Sequence, residues 1–185
     1  MIKRLLIGFV VLAVVIGGAA YWWLGANDYF YKVMVSENKM GPFTFVYMSR
    51  NGDYTKIGPD MEMFLGKIMN AYKVNPSKGM AFFYDNPKVT KPAEQRSDIG
   101  YLLEGQDAKK MDVIMKTTKV KWIGQKDYVV AQFPIKGNLS YAIGAMKCYP
   151  ELMKYMQTKG YKMTTAFELY DMTAKKTTYG FQIIR

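Results

Sequence analysis

The chain has 185 residues, one cysteine and no histidine, and its formal net charge is +11. The lack of histidine excludes Ser-His-Asp and Cys-His catalysis and histidine-ligated zinc or haem. A single cysteine excludes an intrachain disulfide. The positive charge would suit nucleic acid or anionic lipid, but the lysines are scattered along the chain, so we expect no nucleic-acid partner.

The first 26 residues have the pattern of a membrane anchor. Residues 5–24 carry no charge, and a helix of that length would span about 30 Å, the thickness of a bilayer core. Lys3 and Arg4 precede the run, and the aromatic residues 21–23 close it. We therefore expect a retained single-pass transmembrane helix in contact with the lipid bilayer, with the following domain outside the cytoplasm (periplasmic if the source is bacterial). A signal peptide cleaved near residues 18–20 is the alternative.

The next segment reads as strands around one helix. Residues 43–48 are aromatic and β-branched, which predicts a strand after a strand-like lead-in at 31–35. Apolar residues then recur at helical spacing over 57–72, and the sequence at 75–79 stops that helix. Two further strands are predicted at 80–84 and 97–103.

The same order returns about 85 residues later. Strands are predicted at 119–123, 128–133, 164–170 and 177–184, with a helix over 140–159 that contains Pro150 and is expected to kink or break there. The fold class predicted is α+β: two pseudo-repeated ββαββ units, about 30–105 and 113–185, form an antiparallel sheet with two helices on one face. The two units make up one domain, 27–185, preceded by the transmembrane helix. The other face of the sheet would be solvated or curved into a groove.

Glu168 is the candidate functional residue, because it lies in the middle of an apolar strand between Phe167 and Leu169. One interpretation is a solvated residue that pairs with a lysine across the sheet. The other is a carboxylate among aromatic residues, a combination that suits flat cationic ligands. Such a carboxylate could also act as a general acid or base.

Other reactive side chains are expected to have structural roles. Most of the 15 methionines are expected in the core, and Cys148 is expected to be a buried, inert thiol. Trp122 is either a core residue or a groove wall. The sequence contains no phosphate loop, glycine-rich fingerprint or metal-ligand cluster, so we expect no cofactor and no metal.

These motifs and their order resemble the GyrI-like, SOUL-related small-molecule-binding superfamily over about residues 30–185. The resemblance rests on Ala-Phe-Glu-Leu-Tyr-Asp at 166–171, on Met-Ala-Phe-Phe-Tyr-Asp-Asn-Pro at 80–87 and on Arg-Ser-Asp-Ile-Gly at 96–100. Within the superfamily, the chain looks similar to the membrane-anchored, testis-expressed type of ER-phagy receptor.

The resemblance implies a groove between the two units that binds a small ligand, for which an aromatic cation is one candidate. The resemblance implies Glu168 as the charged contact. We further expect Tyr170 to support Glu168, and Phe83, Phe45 and Tyr47 to line the groove. Two alternatives stay open: a hydrolase of reactive xenobiotics that uses Glu168, and a membrane adaptor that binds a protein partner instead of a small molecule.

Overall fold

The computed structural model describes residues 2–26 and 28–184, and it describes no side chains for residues 2–8, 10 and 11. Lys3 and Arg4, on which the predicted orientation in the membrane depends, therefore lie outside the described side chains. The predicted domain boundary falls at Asn27, which lies outside the described residues.

Eight strands and two long helices form the body of the fold. The elements in chain order are α1 (Ile2–Ala26), β1 (Val35–Met40), β2 (Phe43–Asn51), α2 (Ile57–Tyr72), β3 (Lys78–Phe83), β4 (Arg96–Leu102), α3 (Gly105–Ala108), α4 (Met111–Ile114), β5 (Lys119–Ile123), β6 (Lys126–Pro134), α5 (Leu139–Lys159), β7 (Ala166–Asp171) and β8 (Lys176–Gln182). The strands form one antiparallel sheet in the order β1-β6-β8-β7-β3-β4-β2-β5. The chain is thus α+β.

Each long helix buries one stripe of side chains against the sheet. In α2 the buried residues are Ile57, Met61, Phe64 and Ile68, and in α5 they recur every fourth residue from Ser140 to Met156. This spacing places them on one face of a helix. Helix α2 packs on β4, and helix α5 packs on β1, β6 and β8.

Helix α5 continues through Pro150, where the sequence predicts a kink or a break. A proline inside a helix removes one backbone hydrogen bond, to the carbonyl four residues earlier. Pro150 lies on the exposed side of α5, where water can hydrogen-bond to that carbonyl. The helix ends at Gly160, whose φ of +68° lies in the left-handed region that favours glycine.

The sheet curls because two short turns cross at its ends. The turn between β1 and β2 joins the two ends of the sheet, since β1 pairs with β6 and β2 pairs with β5. The turn between β5 and β6 also joins the two ends of the sheet, but here the chain runs from the β5 end to the β1 end. The two turns touch: a side chain added at Gly41 would lie 3.0 Å from the Gly124 carbonyl oxygen, and Gly41 has a φ of +96°. Glycine is therefore required at this crossing.

The curl gives the sheet an inner and an outer face. The inner face holds an apolar cluster drawn from strands at both ends of the sheet: Phe45, Met80, Leu102, Tyr128, Val130, Phe167 and Leu169. The outer face carries α2 and α5, each over its own cluster of buried residues. The face opposite the helices, which the sequence left as either solvated or a groove, is therefore largely buried by the curl.

The prediction of a transmembrane helix is wrong. Although α1 is helical, no helix in the part of the chain with described side chains is long and apolar enough to cross a membrane. Glycine and alanine fill residues 17–20 and 25–26 of α1, and these small residues are less apolar than leucine, isoleucine or valine. This finding overturns the single-pass anchor, the bilayer contact through residues 5–24 and the location beyond a membrane.

Candidate functional site

Glu168 lies on the outer face of the sheet, at the seam between the two helices. It is in β7, and its neighbours across the sheet are Ala81 on β3 and Tyr179 on β8. Because paired residues of adjacent strands point to the same face, all three face the helices. Glu168 is only 8% exposed. The solvated interpretation of this residue is therefore wrong.

Two tyrosine hydroxyls hold the buried carboxylate. The Tyr149 hydroxyl, on α5, donates to Oε1 of Glu168 at 3.0 Å. The Tyr170 hydroxyl, two residues along β7 on the same face, donates to Oε2 at 2.7 Å. Each oxygen thus has one donor. In the described part of the chain, no lysine or arginine forms an ion pair with this carboxylate.

Burial controls the protonation of this site. Desolvation raises the pKa of Glu168 to about 7, although the hydrogen bonds from Tyr170 and Tyr149 act to lower it. The pKa values of Tyr149 and Tyr170 are raised well above the usual value, first by burial and then by the nearby Glu168 charge. Both tyrosines therefore stay protonated and keep donating, while Glu168 exchanges a proton near neutral pH.

Further aromatic rings surround the carboxylate. The Tyr149 ring meets the Tyr179 ring edge-on, with centroids 5.6 Å apart, and the Tyr170 ring meets the Tyr141 ring in the same way at 5.6 Å. The Tyr179 hydroxyl donates to the Tyr141 backbone carbonyl at 2.9 Å. Glu168 and these four tyrosines are called the outer site below.

Two glycines make room for the rings of the outer site. A side chain at Gly144 of α5 would lie 2.9 Å from Cζ of Tyr179. A side chain at Gly79 of β3 would lie 2.7 Å from Cε of Met61 and 3.3 Å from the Tyr170 ring. At Gly144 a Cβ atom would therefore force the Tyr179 ring to move, whereas at Gly79 it would displace the flexible end of Met61 and crowd the Tyr170 ring.

The structure brings together only some of the residues predicted from the sequence. Glu168 and Tyr170 are in direct contact. Phe83 faces the same way but packs on Tyr54, with ring centroids 4.9 Å apart, within the cluster under α2. Phe45 and Tyr47 lie on the inner face, stacked on each other at 5.3 Å. Their assignment to the same ligand as Glu168 is not supported by this placement.

Sequence reasoning missed Tyr141, Tyr149 and Tyr179 as parts of the site. Tyr149 lies within the helix predicted over 140–159. The available signal was its place on the buried side of a helix opposite a charged strand residue, together with the rule that buried carboxylates need donors.

Cys148 is buried, whereas Trp122 is exposed. Burial raises the pKa of the Cys148 thiol to about 12, with a further contribution from Glu168. The thiol is buried, as expected for an inert cysteine. Trp122 is 69% exposed and lies on β5, an edge strand separated from β7 by three others. It is therefore neither a core residue nor a wall of the outer site.

The domain is thus an α+β fold in which a curled antiparallel sheet carries two helices and a buried carboxylate. The sequence model described as "GyrI-like small molecule binding domain" matches residues 34–180. The chain belongs to this family of small-molecule-binding domains, as the sequence motifs predicted.

Solved structures show the same fold at low sequence identity. The C-terminal domain of EcmrR superposes with a TM-score of 0.58 and 10% identity, covering 83% of this chain and 98% of that one. EcmrR in a complex with DNA gives 0.56 and 14%, covering 98% and 70%. SAV2435 bound to tetraphenylphosphonium gives 0.51 and 10%, covering 82% and 94%. No curated protein matches the chain by sequence, and the ER-phagy receptor subtype has no support.

Proposed function

We propose that this domain binds a small organic cation at the outer site, with Glu168 as its charged contact. The observation that carries the proposal is a buried carboxylate held by two hydroxyl donors without a positive partner among the described residues. A buried anion is costly unless it is paired. A bound cation would supply the missing charge.

The tyrosine rings support an aromatic or alkylated cation rather than a small inorganic one. Ring faces attract cations through their quadrupole, and the attraction strengthens when water is excluded. Tyr149 and Tyr170 use their hydroxyls on Glu168, so their rings remain as apolar surface beside the charge. Similarity to SAV2435, whose structure contains tetraphenylphosphonium, makes that cation a convenient probe.

The proposal is tested by titrating the full chain with tetraphenylphosphonium in a calorimeter at pH 7.5. We expect Glu168→Gln to weaken binding at least tenfold, which is about 1.4 kcal/mol, because the isosteric amide removes the charge. The matched control is Glu151→Gln, which removes an equal charge from an exposed position on α5 and should leave affinity unchanged. Equal affinities for the wild type and Glu168→Gln would contradict the role of Glu168.

The hydrolase hypothesis draws on the burial of Glu168, which raises its pKa to about 7, a value that suits a general acid or base. Turnover of an electrophilic substrate that Glu168→Ala abolishes would favour catalysis over binding alone.

A further inference from the structure

The inner face carries a second charged site, around the ammonium of Lys121. The Lys121 Nζ lies 4.6 Å from the ring centroid of Tyr47, 4.7 Å from that of Phe82 and 5.4 Å from that of Phe45. It also forms an ion pair of 2.9 Å with Oδ2 of Asp98. Three aromatic rings and a carboxylate around one ammonium make an aromatic cage, called the inner cage below.

Asp98 is the fixed anion of the inner cage. It is only 8% exposed, and the Tyr84 hydroxyl donates to Oδ2 at 2.7 Å. Burial acts to raise the pKa of Asp98, but hydrogen bonds from Tyr84, Lys121 and Ser49 outweigh it and lower that pKa overall. Asp98 therefore carries a negative charge at neutral pH.

The inner cage and the outer site are on opposite faces of the same strands. Asp98 pairs with Phe82 across the sheet, and Phe82 pairs with Phe167. Phe167 and Glu168 are consecutive residues of β7, and consecutive strand residues point to opposite faces. A ligand in the inner cage would therefore be separated from Glu168 by the sheet.

Lys121 lies at an edge of the sheet and is partly exposed to solvent. It belongs to β5, the edge strand, which pairs with β2 alone in the sheet. Its side chain is 30% exposed, and a lysine reaches its ammonium through a flexible four-carbon stem. Once that ammonium swings outward, three rings and the Asp98 carboxylate face the vacated space.

We propose that the inner cage is a second cation site, which takes a small alkylammonium ion in exchange for the Lys121 ammonium. Methylated ammonium ions suit it best, because their methyl groups contact ring faces that a bare ammonium at 4.6–5.4 Å leaves partly unfilled. The negative charge of Asp98 disfavours anions.

The tethered lysine sets the affinity of this site. A covalently attached competitor acts at an effective concentration on the order of millimolar or higher, so a free ligand must outcompete it. The wild-type chain should bind tetramethylammonium weakly, and removal of the Lys121 charge should reveal the affinity of the cage itself.

The test is a calorimetric or NMR titration of the full chain with tetramethylammonium chloride at constant ionic strength. Lys121→Met should bind at least tenfold more tightly than the wild type, and Lys121→Met combined with Asp98→Asn should lose that gain. The matched control is Lys119→Met, which removes an equal charge from the same strand and face but leaves the cage occupied, since Lys119 hydrogen-bonds to Ser49.

Equal tightening by Lys119→Met and Lys121→Met, or none by either, would overturn the proposal. If Lys121→Met fails to fold, the side-chain resonances of Lys121 in the wild type provide a second test: they should shift as tetramethylammonium displaces the ammonium, and constant resonances would refute displacement. Glu168→Gln should leave the result unchanged, so failure of the inner cage is distinguishable from failure of the outer site.

Discussion

Glu168 on the outer face and Asp98 on the inner face are buried to the same extent, each 8% exposed. Both accept hydrogen bonds from tyrosine hydroxyls. Yet the pKa of Glu168 is raised and that of Asp98 is lowered. At Asp98 the hydrogen bonds from Tyr84, Lys121 and Ser49 outweigh desolvation, whereas at Glu168 desolvation outweighs the hydrogen bonds from Tyr170 and Tyr149. Low solvent exposure alone therefore does not decide the charge of a carboxylate in this fold; the donors and cations around it also count, and Glu168 has no cationic partner among the described residues.

The largest expected effect is a pH-dependent stability difference at Glu168. The pKa of Glu168 is about 7 in the folded state, against 4.5 for the unperturbed group. Because the pKa of this carboxyl is raised in the folded state, its contribution to the stability of the fold is fully present below pH 4.5. This contribution is lost as the pH rises through 7. Relative to Glu168→Gln, the wild-type free energy of unfolding should fall by about 3 kcal/mol between pH 4 and 8. Urea unfolding at several pH values measures this, and a constant difference would contradict the burial argument.

The second-largest expected effect is the loss of stability in Lys121→Met. Its pH dependence should be opposite, because this loss should be larger at neutral pH than in acid. Lys121→Met leaves the Asp98 carboxylate without its ion pair, and at pH 7 we expect a loss of about 2 kcal/mol, below the range for fully buried pairs because Lys121 is partly exposed. The loss should shrink as Asp98 becomes protonated below pH 4. Adding Asp98→Asn should recover part of the stability at pH 7. No recovery in the double variant would mean that Lys121 stabilises by packing on the rings instead.

The smallest expected effect is a loss of stability caused by crowding a ring of the outer site, which leaves the inner face unchanged. Gly144→Ala pushes a methyl group against the Tyr179 ring of the outer site and should cost about 1–2 kcal/mol. It should also weaken tetraphenylphosphonium binding without changing the inner cage. Its matched control is Gly66→Ala in α2, which meets no atom within 4 Å and should stabilise by up to about 1 kcal/mol through helix propensity. Equal stabilities for the two variants would contradict the close approach of Tyr179.

Elements with strong local patterns were predictable. The predicted helix 57–72 has the bounds of α2, because its apolar spacing and the stop signal at 75–79 agree. Strand β5 was also placed at its observed bounds. In contrast, β1 was predicted at 31–35 but spans Val35–Met40, whose residues are mostly polar and exposed. Its extended form comes from pairing with β6, a non-local contact that local residue preferences do not reveal.

The candidate site was predictable only in part, for a similar reason. A charged residue within an apolar strand identified Glu168. The partner Tyr149 is 19 residues away in the sequence, and its role depends on the rotation of α5 over the sheet. Tyr47 was assigned to the same groove because it is aromatic and lies in a strand. The alternation of side chains along a strand predicts which residues of that strand share a face. The order of the strands in the sheet decides which strands are neighbours and which face the helices cover.

The crossed turns at Gly41 and Gly124 have a consequence for how the chain can be divided. Strand β1 comes from the first half of the sequence but pairs only with β6 of the second half, and β5 from the second half pairs only with β2 of the first. The two halves thus exchange their leading strands reciprocally. A cut in the segment between β4 and β5 would leave two fragments that each lack an edge partner, so they should regain structure only when mixed, as interlocking pieces of a single fold.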